Sequence, residues 1–82
     1  MDLKKYGLHG ARILSNLGAI FYRLGDFKNA NVSLTFSVHF YRSLTGPNHL
    51  HLADSYYNLG LTHFKLDDLP SAEDYYRRAL EI

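Results

Sequence analysis

The chain has 82 residues, of which 46% are apolar and 21% are charged, and its formal net charge is +1. This length allows one domain, and the apolar content excludes a disordered charged tail. The small net charge gives no basis for binding nucleic acid or a membrane surface, and the lack of cysteine excludes disulfide bonds and thiolate metal sites. No apolar run approaches the roughly 20 residues that span a bilayer, and residues 1–10 lack the apolar stretch of a signal peptide. These features predict a cytoplasmic protein.

The first predicted helix covers residues 11–24. Its packing residues recur at intervals of three and four, which places them on one face of a helix. They are Leu14, Leu17, Gly18, Phe21 and Leu24. Gly25 follows and is suited to the left-handed conformation that ends a helix. Residues 1–10 stay open at this stage, and a short helix interrupted by Gly7 and Gly10 is one interpretation of them.

The second predicted helix runs from about Phe27 to Leu44 and begins after Asp26, whose carboxylate suits the N-cap position. Its inner stripe consists of Ala30, Leu34, Ser37, Val38 and Tyr41. Phe36 and Phe40 make the opposite side unusually apolar. The helix should end at Gly46-Pro47-Asn48, because proline cannot continue a helix and restricts the residue before it.

The third predicted helix covers about residues 51–66, and the fourth begins at Leu69. The packing side of the third helix is formed by Leu52, Ala53, Tyr56, Leu59, Gly60 and His63. Asp68 takes the N-cap position before the fourth helix, and Pro70 is tolerated in its first turn. The stripe of the fourth helix is formed by Ala72, Tyr76, Ala79 and Leu80. No segment has the pattern of a strand.

The two pairs of helices are copies of one unit, because a set of residues recurs 42 positions later. Ala11, Asn16, Leu17, Gly18, Leu24, Asp26 and Ala30 return as Ala53, Asn58, Leu59, Gly60, Leu66, Asp68 and Ala72. Such a repeat predicts an all-α fold, an α-solenoid of two helix hairpins in a right-handed superhelix. Glycine within a helix costs about 1 kcal/mol relative to alanine. The pattern therefore predicts that Gly18 and Gly60 face Ala30 and Ala72 where helices pack closely.

Part of this pattern resembles the tetratricopeptide repeat, in which large and small residues alternate on helix A and alanine packs on helix B. The residues that carry the resemblance are Leu17, Gly18, Phe21, Ala30 and Leu34, and in the second copy Leu59, Gly60, Ala72, Tyr76 and Ala79. The resemblance implies a single domain over residues 1–82, with an extension at 1–10, repeat one at about 11–44, a linker at 45–50 and repeat two at about 51–82. The 42-residue period is similar to that of the kinesin-light-chain type of this repeat. The matching residues are Gly46, His49, Ala53, Asn58 and Leu59. Leu50 stands where that type has proline, and Ser37 where the repeat has alanine.

The resemblance implies a protein–protein interaction module that holds a short peptide, with acidic residues favoured, in a concave groove lined by the A helices. The groove residues it implies are Arg12, Asn16, Tyr22, Arg23, Asp54, Tyr57, Asn58, Phe64 and Lys65, with Ser15, Ala19 and Leu61 on the same faces. Asn16 and Asn58 carry amides that can both donate to and accept from a peptide backbone. The alternative is that these amides bond the neighbouring helix or water.

The other groove residues also have two interpretations. Arg12, Arg23 and Lys65 would attract carboxylates, or they are ordinary solvated charges. Tyr22, Tyr57 and Phe64 would hold an apolar side chain of the peptide, or they pack between repeats.

No catalytic residue, metal site or cofactor is predicted. The His49-x-His51 pair lacks the further ligands that zinc requires, and the resemblance implies that His49 bonds across the linker. His63 aligns with Phe21, which favours a packed and hydrogen-bonded histidine. Asp67-Asp68 lies in a helix–helix turn and has a capping role rather than acid–base chemistry. The chain is therefore not expected to be an enzyme.

A second hypothesis is structural. Arrays of this kind usually need about three repeats, and Val32, Phe36 and Phe40 exceed what one hairpin contact can cover. The chain would then associate with itself through its repeat ends, or be a fragment of a larger scaffold with further repeats. No nucleic acid or membrane partner is expected.

Overall fold

In a computed structural model of the chain, four α-helices are arranged as two hairpins. The structure describes residues 3–46 and 49–82, with side chains from residue 5 onward. The helices are α1 (Leu3–Arg23), α2 (Phe27–Thr45), α3 (Leu50–Lys65) and α4 (Leu69–Leu80). None of the described residues forms a strand, so the predicted all-α solenoid of helix hairpins is confirmed. Pro47 and Asn48, which the sequence predicts as part of the helix break, lie outside the described residues.

The main difference from the sequence prediction is that α1 begins eight residues earlier, at Leu3 rather than at residue 11. The helix passes through Gly7 and Gly10 without interruption. A Cβ on Gly7 would lie 2.6 Å from Cδ1 of Leu44, so α2 packs closely on α1 at this level. Tertiary packing here outweighs the weak helix propensity of glycine.

The turns within the two hairpins have the same design. Gly25 has a φ of 79°, and the N–H of Asp26 donates to the carbonyl of Phe21, which ends α1 in a Schellman motif. The carboxylate of Asp26 then accepts the backbone N–H of Asn29 at 3.3 Å and caps α2. The second hairpin repeats this with Asp67 at a φ of 61° and Asp68 as the cap of α4. The predicted cap residues are confirmed.

The difference between Gly25 and Asp67 gives a testable contrast. Residues other than glycine pay roughly 1 kcal/mol or more in the left-handed conformation. Asp67→Gly should therefore raise the free energy of unfolding by about 0.5–1 kcal/mol, and the melting temperature by roughly 4–8 °C per kcal/mol. Gly25→Ala should lower both, although a Cβ at Gly25 would meet no atom within 4 Å. Thermal melts followed by circular dichroism test this, and an unchanged Gly25→Ala variant would contradict the strain argument.

The core lies where α1, α2 and α3 meet and continues against α4. Its buried members are Ala11, Leu34, Tyr41, Leu52, Tyr56 and Leu59, with Leu8, Val38, Tyr75, Ala79 and Ile82 packed against them. Three predicted stripe residues are exposed instead: Leu17 (38%), Leu24 (74%) and Leu80 (87%). Leu24 directly follows α1 and Leu80 ends α4, where the neighbouring helix of the hairpin does not cover them. Leu17 lies on a face of α1 that no other helix covers.

The side chain nearest to Gly18 and to Gly60 is in each case a large one rather than the alanine that the repeat pattern predicts. A Cβ on Gly18 would lie 2.5 Å from Cγ of Leu34, and a Cβ on Gly60 would lie 2.6 Å from the Tyr76 ring. The small residue in each hairpin therefore makes room for a large side chain one turn beyond the alanine. Ala30 and Ala72 are themselves buried.

Ser37, at a position where the repeat resemblance implies alanine, is fully buried and hydrogen-bonded. Its hydroxyl donates to the carbonyl oxygen of Ala11 at 2.8 Å. Each hydroxyl has one proton to donate, and that of Ser37 is already used. In the long contact between Ser55 and Ser37 (3.5 Å) the donor is therefore Ser55. In the contact between Ser15 and Ser55 (3.4 Å) the donor is then Ser15. This chain of hydroxyl groups joins three helices through the core.

His63 connects the two repeats. It is packed and hydrogen-bonded, as the sequence predicts. Its Nε2 lies 3.0 Å from Oδ1 of Asn31 on α2, and its ring stacks on Tyr75 at 5.2 Å. Its Nδ1 lies 3.4 Å from the carboxylate of Asp68. Hydrogen bonds from Ser71 lower the pKa of Asp68, and the neighbouring His63 adds to this effect.

Candidate functional site

A groove runs between α1 and α3, with α2 beneath it. Its middle is a cavity of about 370 Å³, here called the central cavity. The residues that line it are Arg12, Ser15, Asn16, Ala19, Tyr41, His51, Asp54, Tyr57 and Asn58. The α1 members are spaced by three and four residues, as are the α3 members, so one face of each helix forms a wall.

Five of the predicted groove residues meet in this cavity: Arg12, Asn16, Asp54, Tyr57 and Asn58. Asn16 is exposed and Asn58 is half-buried. Within the described part of the chain, neither side-chain amide forms a hydrogen bond, and the Asn58 contact to Thr62 uses the backbone carbonyl instead. The rings of Tyr57 and Tyr76 lie 5.9 Å apart.

The remaining predicted groove residues lie elsewhere. Tyr22 packs edge-on against Phe27 at 5.5 Å, within the first hairpin. Phe64 lines a separate apolar cavity on the second hairpin, together with Leu69, Tyr76 and Leu80. Arg23 and Lys65 are exposed in the last turns of α1 and α3 and do not line the central cavity. Of the three cations expected to attract acidic peptides, only Arg12 lies in it.

A second cavity of about 370 Å³ adjoins the central cavity and was not predicted from the sequence; it is here called the basic cavity. It is lined by Lys5, Leu8, His9, Arg12, Tyr41, His49 and His51. The α1 members have helical spacing, but this signal depends on α1 extending through residues 3–10. The sequence leaves that segment open, so the α1 half of this cavity is not visible in the sequence alone.

Three of the residues that line the basic cavity, Tyr41, His49 and His51, stack their rings on one another. The rings of His49 and His51 lie 4.9 Å apart, and they stack on Tyr41 at 6.2 and 5.4 Å. Nδ1 of His49 accepts the backbone N–H of His51 at 3.1 Å and so caps α3. His49 therefore bonds across the start of the helix, as the repeat resemblance implies for this linker position.

Tyr41 is 2% exposed and lies between opposite charges. Burial raises its pKa, the positive charge of Arg12 opposes this shift, and the negative charge of Asp54 adds to it. The phenol therefore stays protonated near neutral pH. It offers the groove a neutral hydroxyl beside one cation and one anion.

Among the described residues, no three histidine, cysteine or acidic side chains are grouped in a way that could hold a metal ion. None of the helices formed by the described residues is long and apolar enough to cross a membrane. The walls of the groove offer amide, phenol, imidazole and guanidinium groups, which suit hydrogen bonding and charge pairing with a polar ligand.

Comparison with known families gives one match. The sequence profile described as tetratricopeptide repeat matches residues 9–82. The match spans both hairpins and includes all the residues of the central cavity. No curated protein and no solved structure matches the chain.

Proposed function

The chain belongs to the tetratricopeptide repeat family, and from this premise we propose that it holds a short peptide segment of a partner protein in the groove between α1 and α3. The family points to a protein–protein interaction module. The finer proposal depends on the central cavity, where two asparagines from equivalent positions of the two repeats lie on facing helices.

The observation that carries the proposal is the position of Asn16 and Asn58. Both line the central cavity, and within the described part of the chain neither side-chain amide is used in a hydrogen bond. A free amide can donate to a peptide carbonyl and accept from a peptide N–H. Two such groups can hold an extended backbone regardless of its side chains, which leaves selectivity to the rest of the groove.

Replacing both asparagines with alanine should weaken binding of a partner peptide by about tenfold to a hundredfold. Each lost hydrogen bond contributes about 0.5–1.5 kcal/mol, so each single variant should lose roughly threefold to tenfold. The partner is first selected by peptide display on the intact chain, and its affinity is then measured by calorimetry. Lys28→Ala with Ser43→Ala, two exposed changes on α2, is the matched control and should bind like the parent.

Two results would contradict this proposal. One is unchanged affinity in the double asparagine variant. The other is a loss of helicity or of thermal stability in that variant, which would make Asn16 and Asn58 structural residues. Circular dichroism of each variant distinguishes the two results.

We also propose the kinesin-light-chain type as the subtype of this repeat. The 42-residue period and the residues Gly46, His49, Ala53, Asn58 and Leu59 support it. The cap that His49 forms on α3 gives this linker residue a physical role.

A second candidate function, self-association through the repeat ends, is favoured by one face of α1. Ile13, Leu17 and Ile20 are 63%, 38% and 51% exposed. Their equivalents 42 residues later, Ser55, Leu59 and Thr62, are between 0% and 1% exposed where α3 packs on the preceding hairpin. The same helix face is therefore exposed in the first hairpin and buried in the second, where the first hairpin covers it.

α2 also carries exposed apolar side chains. Phe36 and Phe40 are 53% and 41% exposed, and their rings stack at 6.5 Å. Val32 adds to the same side of the helix and is 51% exposed. We call the six residues Ile13, Leu17, Ile20, Val32, Phe36 and Phe40 the end face. An apolar surface of this kind is typical of an interaction site.

A further inference from the structure

We infer that the basic cavity anchors a carboxylate of the bound peptide, from a glutamate or aspartate side chain, and that His51 takes up a proton as the carboxylate enters. The inference rests on the proposed peptide-binding function, since the cavity opens onto the same groove. It assigns the preference for acidic peptides to a set of residues different from the one that the sequence predicts.

The composition of the basic cavity favours an anion. Lys5 and Arg12 are cationic, three further lining residues are histidines, and the described residues that line it include no carboxylate. Among the described residues of the groove, the acidic side chain is that of Asp54, which lines the central cavity instead. Arg12, Tyr41 and His51 line both cavities, so a peptide held by the asparagines can place a side chain here.

Two hydrogen bonds determine which imidazole nitrogens can donate to an anion. The backbone N–H of His51 donates to Nδ1 of His49 at 3.1 Å. Arg12 can only donate, so Nδ1 of His9 accepts from its guanidinium at 3.4 Å. In the neutral state His9 and His49 therefore carry their proton on Nε2, where it is available to a carboxylate. A second proton on either ring would go to Nδ1 and break these hydrogen bonds. Among the described residues the ring nitrogens of His51 form no hydrogen bond, so His51 is the ring that can take up a proton.

Proton uptake follows from the crowding of positive groups. His51 lines the cavity together with Arg12, and its ring lies 4.9 Å from that of His49, so charging His51 in the empty cavity adds a positive charge beside Arg12. A carboxylate removes much of that repulsion. Among the described residues, the titratable and charged groups that face this site are Lys5, His9 and Arg12 from α1, Tyr41 from α2, His49 from the N-cap of α3, and His51 and Asp54 from α3.

The affinity for a carboxylate should depend on pH. Because the carboxylate binds the protonated form of the site more tightly, binding takes up protons, and the affinity rises as the pH falls. Histidine changes charge between about pH 5 and pH 8, whereas glutamate carboxylates stay largely ionised above about pH 6. The raised pKa of Tyr41 keeps its hydroxyl neutral over this range.

The test uses fluorescein-labelled hexaglutamate as the probe and labelled hexaglutamine as its uncharged control, with affinities measured by anisotropy. Hexaglutamate should bind about tenfold more tightly at about pH 6 than at about pH 8, which corresponds to an average uptake of about half a proton over this range. Hexaglutamine should bind weakly at both. Circular dichroism at each pH confirms that the chain remains folded.

Matched histidine variants assign the effect to the cavity. His51→Gln should flatten the pH dependence, whereas His39→Gln should retain it, because His39 is exposed on α2 and does not line the cavity. Arg12→Gln should weaken hexaglutamate binding at both pH values. Equal affinity at both pH values, or an equal loss in His39→Gln, would overturn the inference, since the effect would then come from overall charge.

Two further arms separate the alternatives. A phosphoserine peptide that binds more tightly than its glutamate counterpart through the same residues would overturn the assignment to a carboxylate. Hexaglutamate binding that survives in Asn16→Ala with Asn58→Ala, while a selected partner peptide also binds that variant normally, would refute the asparagine groove and leave the anion site standing. If a selected partner binds through the asparagines but hexaglutamate does not bind, the anion site is refuted and the asparagine groove stands.

Discussion

Replacing Leu34 with alanine should lower the free energy of unfolding by about 2–5 kcal/mol, because this side chain is fully buried at the centre of the core. Leu34 fills the space next to Gly18 and belongs to the cluster that joins the two repeats. Small domains have only about 5–15 kcal/mol of stability in total. The melting temperature should therefore fall by roughly 10 °C or more. Urea denaturation followed by circular dichroism measures the loss.

The same residue allows a sharper test of the packing against Gly18. In the parent chain Gly18→Ala should destabilise, because its Cβ would lie 2.5 Å from Cγ of Leu34. This clash outweighs the gain of about 1 kcal/mol in helix propensity. In the Leu34→Ala background the clash is gone, so Gly18→Ala should become stabilising.

Gly10→Ala is the matched control in the same helix. A Cβ on Gly10 would meet no atom within 4 Å, so the substitution should stabilise by up to about 1 kcal/mol in both backgrounds. If Gly18→Ala had the same sign in both backgrounds, contact with Leu34 would not be the reason for the glycine.

The second large effect concerns self-association through the end face. The parent chain should sediment faster as its concentration rises through the micromolar range. Ile13→Glu with Ile20→Glu should reduce the association constant by at least about a hundredfold, because burying an unpaired carboxylate in an interface costs several kcal/mol. Leu50→Glu is the control, since Leu50 is also exposed but lies outside the end face. A parent chain that stays monomeric, or an equal effect of Leu50→Glu, would contradict the proposal.

A mixing experiment identifies the surface that covers the end face. Within the chain, Val38 and Ser37 lie on the side of α2 that meets α3, and their equivalents on α4 are Leu80 and Ala79. Leu80 is 87% exposed, so head-to-tail stacking would place α4 of one copy on α1 of the next. Leu80→Glu should then block association alone but form a heterodimer with the Ile13→Glu, Ile20→Glu variant. If Leu80→Glu associates normally, the contact is between two end faces instead.

The helices and their turns were predictable because each depends on residues close together in the chain. Asp26 and Asp68 cap helices through the N–H group three residues ahead. Gly25 ends α1 through its own backbone conformation. The groove wall was predictable in part for the same reason: Arg12 and Asn16 share a face of one helix at any packing angle.

Burial at the helix ends and the partners of the glycines were not predictable from periodicity. Leu24 and Leu80 continue the apolar stripes, but no neighbouring helix reaches them. Gly18 meets Leu34 rather than Ala30, since the axial offset between α1 and α2 decides which residues lie at the same level.

The sequence by itself thus determined four helices, their caps and a 42-residue repeat, because these depend on contacts within a few residues. Only the tertiary structure decided that Lys5 and His9 would meet His49 and His51 around one cavity. These residues are about 40 positions apart, and what joins them is the packing of α1 and α3 on the shared floor of α2. That arrangement depends on the angle and offset between helices. Side-chain packing over the whole core determines both, and no local sequence pattern encodes them.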